Sequence, residues 1–169
     1  MLSRWIIIGS VLCGLRSDII PGNEWQCTKV FNCTTQPQDS IWKALEAVFP
    51  QSGYINDSMM QSSPLRLRIV DKWLGLTSVI GEVVFNINAE ARQGKFRLQT
   101  SVLYFTPWFK DRYGKMVPDN HHPIIVTNDE GFENRRRHYQ NITQQVSKFL
   151  DVKANKVKET LEHGKSQDW

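Results

Sequence analysis

The stretch VIGEVVFNINAEARQGKFRLQTSVLYF, residues 79–105, decides the fold class. Its apolar residues alternate with polar ones, a period typical of strands that bury one face, because successive side chains point to opposite faces. We predict strands over 79–88 and 96–105. The loop between them, 89–95, is short and contains Gly94, so the two strands must pair antiparallel. The residues predicted to face the core are Val79, Val83, Phe85 and Ile87, then Phe96, Leu98, Thr100, Val102 and Tyr104.

A helix and two further strands are predicted before this hairpin. Asp39 has the side chain of an N-cap, and apolar residues then recur at helical spacing as far as Pro50, which ends the helix. Residues 65–69 alternate with period two and predict a strand, and residues 26–31 predict a short one. Residues 51–64 are predicted as a loop, and residues 72–78 are ambiguous. The helix residues predicted to be buried are Ile41, Ala44, Leu45, Val48 and Phe49.

The C-terminal part predicts an irregular segment, 106–126, followed by a long amphipathic helix. Thr127 and Glu130 have the spacing of a capping box, so the helix is expected over about 130–162, either continuous or broken near Asp151. Its apolar residues, at steps of three, four and seven, are Tyr139, Ile142, Val146, Phe149, Leu150, Val157 and Leu161. The elements predict one α+β domain over 18–169. It has an antiparallel sheet of about four strands, with an N-terminal helix and the long C-terminal helix packed on one face.

The N-terminus predicts an export signal over residues 1–17. Arg4 precedes an apolar run, Trp5 to Leu15. As a helix this run rises only about 16 Å, too short for a bilayer core but suited to the apolar part of a signal peptide. The expected location is therefore outside the cell or in the cell envelope, the periplasm if the source is bacterial. A buried N-terminal strand of a cytosolic protein is the alternative.

Cys27 and Cys33 form an even pair once the leader is removed. An exported domain commonly bridges two nearby cysteines, which closes a loop and stabilises the fold by about 2–3 kcal/mol. Two buried thiols are an equally weighted alternative. A zinc site is disfavoured, because a structural site needs four ligands and the histidines lie far along the chain.

Basic residues concentrate near the C-terminus. The whole chain has a net charge of +4, and residues 135–165 hold eight Lys and Arg against three Asp and Glu. Such a helix face suits anionic lipid headgroups or, less favoured here, nucleic-acid phosphates. Cations on an outer helix face are also what solubility alone requires. The candidate anion-binding residues are Arg135, Arg136, Arg137, Lys148, Lys153 and Lys156.

Aromatic and basic residues also follow the second predicted strand. Exposed aromatic side chains beside cations suit contact with a protein, peptide or glycan. The alternative is that they cover the open end of the core. The candidate contact residues are Trp108, Phe109, Arg112 and Tyr113.

No pattern in the chain indicates catalysis, a metal or a cofactor. The nucleophile elbow, the P-loop, the zinc-protease motif and the dinucleotide fingerprint are all absent from the sequence. His121 and His122 stand beside Asp119, but adjacent histidines on an extended chain point to opposite sides and rarely share one ion. We therefore expect an exported, non-catalytic binding or structural domain. The alternative is an anion-binding module that uses the basic C-terminal helix.

The order of elements resembles a bacterial family of exported domains of unknown function. The resemblance covers residues 28–115 and begins with Thr28-Lys29-Val30-Phe31 and the segment Asp39-Ser40-Ile41-Trp42-Lys43-Ala44-Leu45. It continues with Ile80-Gly81-Glu82-Val83 and a late strand that ends near an Asp-Arg-Tyr-Gly-like turn. It implies a fold like that of the TATA-box-binding protein, without implying DNA binding. The cysteine pair, the long basic helix and the order Asp111-Arg112-Tyr113-Gly114-Lys115 depart from the family pattern.

Overall fold

The computed structural model describes residues 24–119, 123–128 and 136–164, so the expected export signal lies outside the described residues. Two helices and ten strands occupy these ranges. In chain order they are β1 (Thr28–Asn32), α1 (Gln38–Val48), β2 (Gly53–Asn56), β3 (Met59–Gln61), β4 (Leu65–Trp73), β5 (Leu76–Phe85), β6 (Ile87–Arg92), β7 (Lys95–Thr100), β8 (Tyr104–Lys110), β9 (Met116–Pro118), β10 (Ile124–Ile125) and α2 (Arg136–Gly164).

The strands form two antiparallel sheets of five strands each, where the sequence predicted one sheet of about four. The first sheet has the order β1-β7-β6-β3-β2, and the second has the order β10-β8-β5-β4 with β9 paired to β8. The α+β class, the antiparallel pairing and the C-terminal helix are confirmed. The sequence missed β2, β3, β9 and β10, which are only two to four residues long. Strands this short cannot display a readable alternation. The sequence also did not separate β6 from β5 or β8 from β7.

The predicted loop over 51–64 holds one of these short hairpins, β2–β3. All four residues of β2 are exposed at the edge of the first sheet. An edge strand that buries no side chain lacks the apolar pattern from which strands are recognised. The prediction of a loop was therefore wrong, for a reason that lies in the hairpin's position.

Between β3 and β8 the chain passes from one sheet into the other at three places, residues 62–64, Asn86 and residues 101–103. The Asn86 amide donates to Ser101 Oγ (2.8 Å), and the Ser101 amide donates to the Asn86 carbonyl (2.8 Å). The side-chain amide of Asn86 also donates to the Ser62 carbonyl (2.8 Å). These bonds satisfy backbone groups where the strand ladder is interrupted.

The passage over 101–103 exchanges the two faces of the chain. Residues up to Thr100 are buried in the predicted pattern, but Val102 is only half-buried and Tyr104 is 44% exposed. Leu103 and Phe105 are fully buried in their place. A shift of one residue moves every later side chain to the opposite face. The prediction of one strand over 96–105 and of a buried Tyr104 was therefore wrong.

The helix α1 begins two residues earlier than predicted. Its N-cap is Pro37, with extended backbone, and Asp39 lies within the first turn, where its carboxylate favours the positive end of the helix dipole. Ile41, Ala44 and Leu45 are buried as predicted. Through them α1 packs on β6, β7 and α2.

The helix α2 continues without a break through Asp151. The Lys29 ammonium donates to Asp151 Oδ2 (2.7 Å) and to the Ser147 carbonyl (3.0 Å), which ties the middle of α2 to β1. The fully or nearly fully buried residues of α2 are Ile142, Val146, Leu150, Ala154, Val157 and Leu161. This stripe contains five of the seven predicted positions, and the sequence missed Ala154.

A glutamine of α2 also holds the second sheet. The pairing of β4 with β5 shifts by one residue between Ile69 and Val70, as in a β-bulge. Gln145 donates to the Val70 carbonyl (2.6 Å) and accepts from the Val70 amide (3.1 Å). The helix therefore satisfies both backbone groups of Val70 and contacts both sheets.

Candidate interaction surface

The β4–β5 hairpin ends in an exposed apolar tip. Leu74 and Gly75 form a two-residue turn between the paired residues Trp73 and Leu76, and their φ angles are +49° and +79°. Positive φ at both positions is typical of the hairpin turn that usually contains Asn-Gly. Leu74 is 84% exposed and Leu76 is 76% exposed. A leucine here therefore combines an unfavourable backbone conformation with an exposed apolar side chain.

The turn between β8 and β9 presents an aromatic side chain on a hydrogen-bonded frame. Asp111 Oδ1 accepts from the amides of Tyr113 (2.8 Å) and Lys115 (2.9 Å), and Gly114 supplies the positive φ of +77°. The guanidinium carbon of Arg112 lies 4.8 Å from the centre of the Tyr113 ring. Tyr113 is 78% exposed. The frame thus fixes an exposed tyrosine with a cation stacked on it.

These two tips lie at the same end of the second sheet. β5 begins at the hairpin turn and pairs antiparallel with β8, which ends at the β8–β9 turn. The pairing ends at Gly81 and Pro107, and both strands continue past it towards their tips, so the two tips extend from the same end of the sheet. We call this end, residues 72–78 and 109–115, the two-tip surface. Residues 72 and 74–78 and residues 109–110 and 112–115 are exposed.

Four exposed cations surround the apolar residues of the two-tip surface: Lys72, Lys110, Arg112 and Lys115. Its one acidic residue, Asp111, is half-buried, as is Asp71 immediately before the surface. The Asp111 carboxylate already accepts two backbone amides, which offsets part of its charge locally. The exposed side chains of this surface are therefore apolar, neutral polar or positive, and none is acidic.

The predicted contact residues divide between this surface and the body of the sheet. Phe109, Arg112 and Tyr113 belong to the two-tip surface, with Phe109 49% exposed. Trp108 points the other way, since neighbours along β8 alternate, and it is half-buried under the Arg68 guanidinium at 5.6 Å. Its indole nitrogen is buried and has no hydrogen-bond partner within the described part of the chain. Trp108 and Phe109 lie on strand β8, so the prediction of an irregular segment here was wrong.

The predicted anion-binding residues divide between α2 and the segment before it. Arg135 and the side chains of Arg136 and Arg137 lie outside the described residues. Successive residues of a helix turn by about 100°, so Lys148 and Lys153 project about 140° apart. Lys148 and Lys156 are exposed, whereas Lys153 is half-buried. Lys156 lies between Lys148 and Lys153, so the three lysines occupy an arc of about 140°, of which Lys153 forms the half-buried edge.

Lys153 lies beside a small cavity at the end of α1. The cavity has a volume of about 140 Å³, and its lining includes Phe49, Ser63 and Leu65. The ammonium lies 5.5 Å from the ring centres of both Phe49 and Phe149. Burial, and then repulsion from Lys156, lower the pKa of Lys153. The Lys153 side chain is thus packed over two aromatic rings at the end of α1 and is less accessible than Lys148 and Lys156.

The structure contains no bridge between Cys27 and Cys33. β1 runs extended between them, and six residue steps of about 3.3 Å separate their Cα atoms by roughly 20 Å, whereas a disulfide requires less than about 7 Å. Cys27 is fully buried and Cys33 is half-buried, and burial raises the pKa of the Cys33 thiol despite the nearby Lys158. A bridge would require β1 to leave the sheet.

The described residues offer neither a metal-binding cluster nor a helix that could span a bilayer. They contain no group of three or more His, Cys, Asp and Glu placed to hold a metal ion, and His121 and His122 lie outside them. Within the same ranges, neither helix is long and apolar enough to cross a bilayer.

Sequence reasoning missed Leu74 and Leu76. The Leu-Gly pair follows an alternating strand and precedes another, which indicates a two-residue turn. That pattern left 72–78 ambiguous because Trp-Leu-Gly-Leu is equally typical of a buried segment. Only the three-dimensional position of the hairpin exposes it.

The fold has a solved bacterial counterpart. It is similar to the crystal structure of a DUF4468 family protein from Bacteroides ovatus ATCC 8483, with a TM-score of 0.52 and 12% sequence identity. The match covers 89% of this chain and 91% of the other. No protein-family model and no curated protein matches the sequence. The expected resemblance to a bacterial domain of unknown function is supported as a likeness of fold, and the comparison with the TATA-box-binding protein stays a prediction.

Proposed function

We propose that this chain is an exported, non-catalytic binding domain whose contact surface is the two-tip surface. One observation carries the proposal: Leu74 is 84% exposed and has a left-handed backbone. Neither property benefits the isolated fold, because Asn or Gly would relieve the backbone and would expose less apolar surface. Strained residues of this kind are concentrated at binding sites.

The second tip supports the same surface. Tyr113 and Phe109 reach solvent at the same end of the sheet, and Asp111 holds the turn in one conformation. A contact surface benefits from such rigidity, because less conformational freedom is lost on binding. The basic helix, our alternative, is less favoured because Lys153 is half-buried and because the exposed Glu159 and Glu162 lie on the same helix.

The remaining parts of the proposal depend on the sequence. Export is supported by the apolar run Trp5 to Leu15 behind Arg4. The non-catalytic role is supported by the absence of a recognisable catalytic motif from residues 1–169.

Site-specific photocrosslinking in cells that export the chain tests the contact surface. Benzoylphenylalanine replaces Leu74, Tyr113 or Val30; the last is a 60% exposed residue of β1 and serves as the control. The probe captures protein or lipid without assuming which. We expect positions 74 and 113 to give the same crosslinked product and position 30 to give none. Co-expression of the native chain should suppress the product, because the native chain competes for the partner.

Suppression by a competitor that carries Leu74→Asn and Leu76→Ser should be weaker than by the native chain. The proposal is wrong if positions 74 and 113 give no product, or the same products as position 30.

A further inference from the structure

We infer that the two-tip surface binds anionic lipid headgroups and inserts Leu74, Leu76 and Tyr113 into the bilayer interface. The inference rests on the function proposed above and names the partner of that surface. Three features of the surface carry it: its shape, its charge and the position of its tyrosine.

The shape favours a fluid partner. The apolar side chains stand on two projecting turns, and residues 74–78 are all exposed. A protein partner would need a matching pocket for each tip. A bilayer interface accepts projecting apolar side chains without one, as it does for the apolar faces of interfacial helices.

The charge favours an anionic bilayer. Lys72 precedes the first tip by two residues, and Lys110 and Lys115 stand on either side of the second. If the leucines insert into the interface, these cations lie slightly farther from the bilayer centre than the leucines, at the depth of the headgroup phosphates. Each Lys or Arg close to an anionic leaflet adds to the attraction. Nucleic acid would satisfy the cations but would offer the two leucines no apolar environment.

The tyrosine suits the same depth. Tyr113 has an apolar ring with a polar hydroxyl, and the Arg112 guanidinium stacks on it. Tyrosine and tryptophan are enriched where a membrane meets water, because one end of the side chain is apolar and the other is wet. Arg112 can stay on the ring and still reach a phosphate.

Vesicle cosedimentation of the purified full chain tests the inference. The vesicles contain phosphatidylcholine alone or with phosphatidylglycerol, at low and at high salt. We expect binding only to the vesicles with phosphatidylglycerol, and release by salt because the attraction is screened. The double variant Leu74→Asn/Leu76→Ser should bind at least about tenfold more weakly, since two apolar side chains no longer insert.

Two control variants match the tip variant. Ile55→Asn removes a 54% exposed apolar residue from the β2–β3 hairpin of the other sheet. Lys148→Gln/Lys156→Gln removes two cations from the outer side of α2, the surface of the alternative hypothesis. Both should bind like the native chain, and circular dichroism should show that every variant is folded. All variants share the same N-terminus, so differences between them report the tips.

The outcomes separate the two proposals. Failure of the native chain to bind anionic vesicles overturns the lipid inference, as does binding that the tip variant leaves unchanged. If vesicles are not bound but positions 74 and 113 crosslink one protein, the partner is that protein and the contact surface stands. If neither position crosslinks and vesicles are not bound, both proposals fall.

Discussion

Thr35 and Leu74 are both exposed, and both have a positive φ, +87° at Thr35 and +49° at Leu74. Among the described residues other than glycine, no other residue has a positive φ. The structure holds Thr35 in place. Three backbone hydrogen bonds surround it. The Cys33 amide donates to the Gly94 carbonyl (2.9 Å), the Gln36 amide donates to the Cys33 carbonyl (3.0 Å), and the Gly94 amide donates to the Gln36 carbonyl (3.0 Å).

Leu74 has no comparable support. Within the described residues, no backbone hydrogen bond outside the hairpin ladder involves the turn. The strain at Thr35 is thus part of how β1 connects to α1, while the strain at Leu74 serves nothing inside the domain. This difference is why we assign the binding surface to the β4–β5 tip and not to the turn at Thr35.

The largest expected effect concerns the base of the same hairpin. If the hairpin is loosely held along its whole length, Gly81 should tolerate a side chain; if only its tip is free, Gly81 should not. A Cβ at Gly81 would lie 2.3 Å from Phe105 Cε2 and 2.6 Å from the Thr106 carbonyl oxygen. We expect Gly81→Ala to lower the free energy of unfolding by about 2–3 kcal/mol in urea titrations.

Gly53→Ala is the matched control, because no atom lies within 4 Å of its new Cβ. Its effect should be small. Equal stabilities of the two variants would mean that the hairpin is loose as a whole, and the contrast between its base and its tip would fail.

A moderate effect of opposite sign is expected at the two left-handed residues. Asn accepts positive φ more easily than Leu or Thr, so Leu74→Asn and Thr35→Asn should each stabilise the fold by about 0.5–1 kcal/mol. The midpoint of thermal unfolding should rise in both. Only Leu74→Asn should weaken crosslinking and vesicle binding. If Thr35→Asn weakens crosslinking and vesicle binding as much as Leu74→Asn does, binding is not specific to the β4–β5 tip.

The smallest effect concerns Cys33, beside the supported turn. Burial favours the neutral thiol and raises its pKa, so at a given pH it should react more slowly with iodoacetamide than a solvent-exposed cysteine. Lys158 favours the thiolate, so Lys158→Gln should slow the reaction further. Lys148→Gln is the control and should leave the rate unchanged. A Cys33 that reacts at the rate of an exposed thiol would mean that this turn opens readily.

Local patterns determined the parts of the fold that bury a regular face. The spacing of Ile142, Val146 and Leu150 predicted α2, and the alternation around Val83 and Phe85 predicted β5, because one-sided burial leaves a period in the sequence. The predicted surface residues Phe109, Arg112 and Tyr113 were also recognisable, since exposed aromatic residues between cations stand out from composition alone.

Tertiary structure decided the rest. It placed the passage between sheets at residues 101–103, which exchanged the buried residues there. It also placed Cys27 and Cys33 at opposite ends of the extended strand β1 and placed Leu74 in solvent, at the tip of the β4–β5 hairpin. None of these follows from spacing along the chain, because each depends on which distant strand lies alongside. The sequence alone therefore determined the two helices and the apolar faces of the longer strands. The pairing of the strands determined where those strands end and which apolar residues remain in solvent.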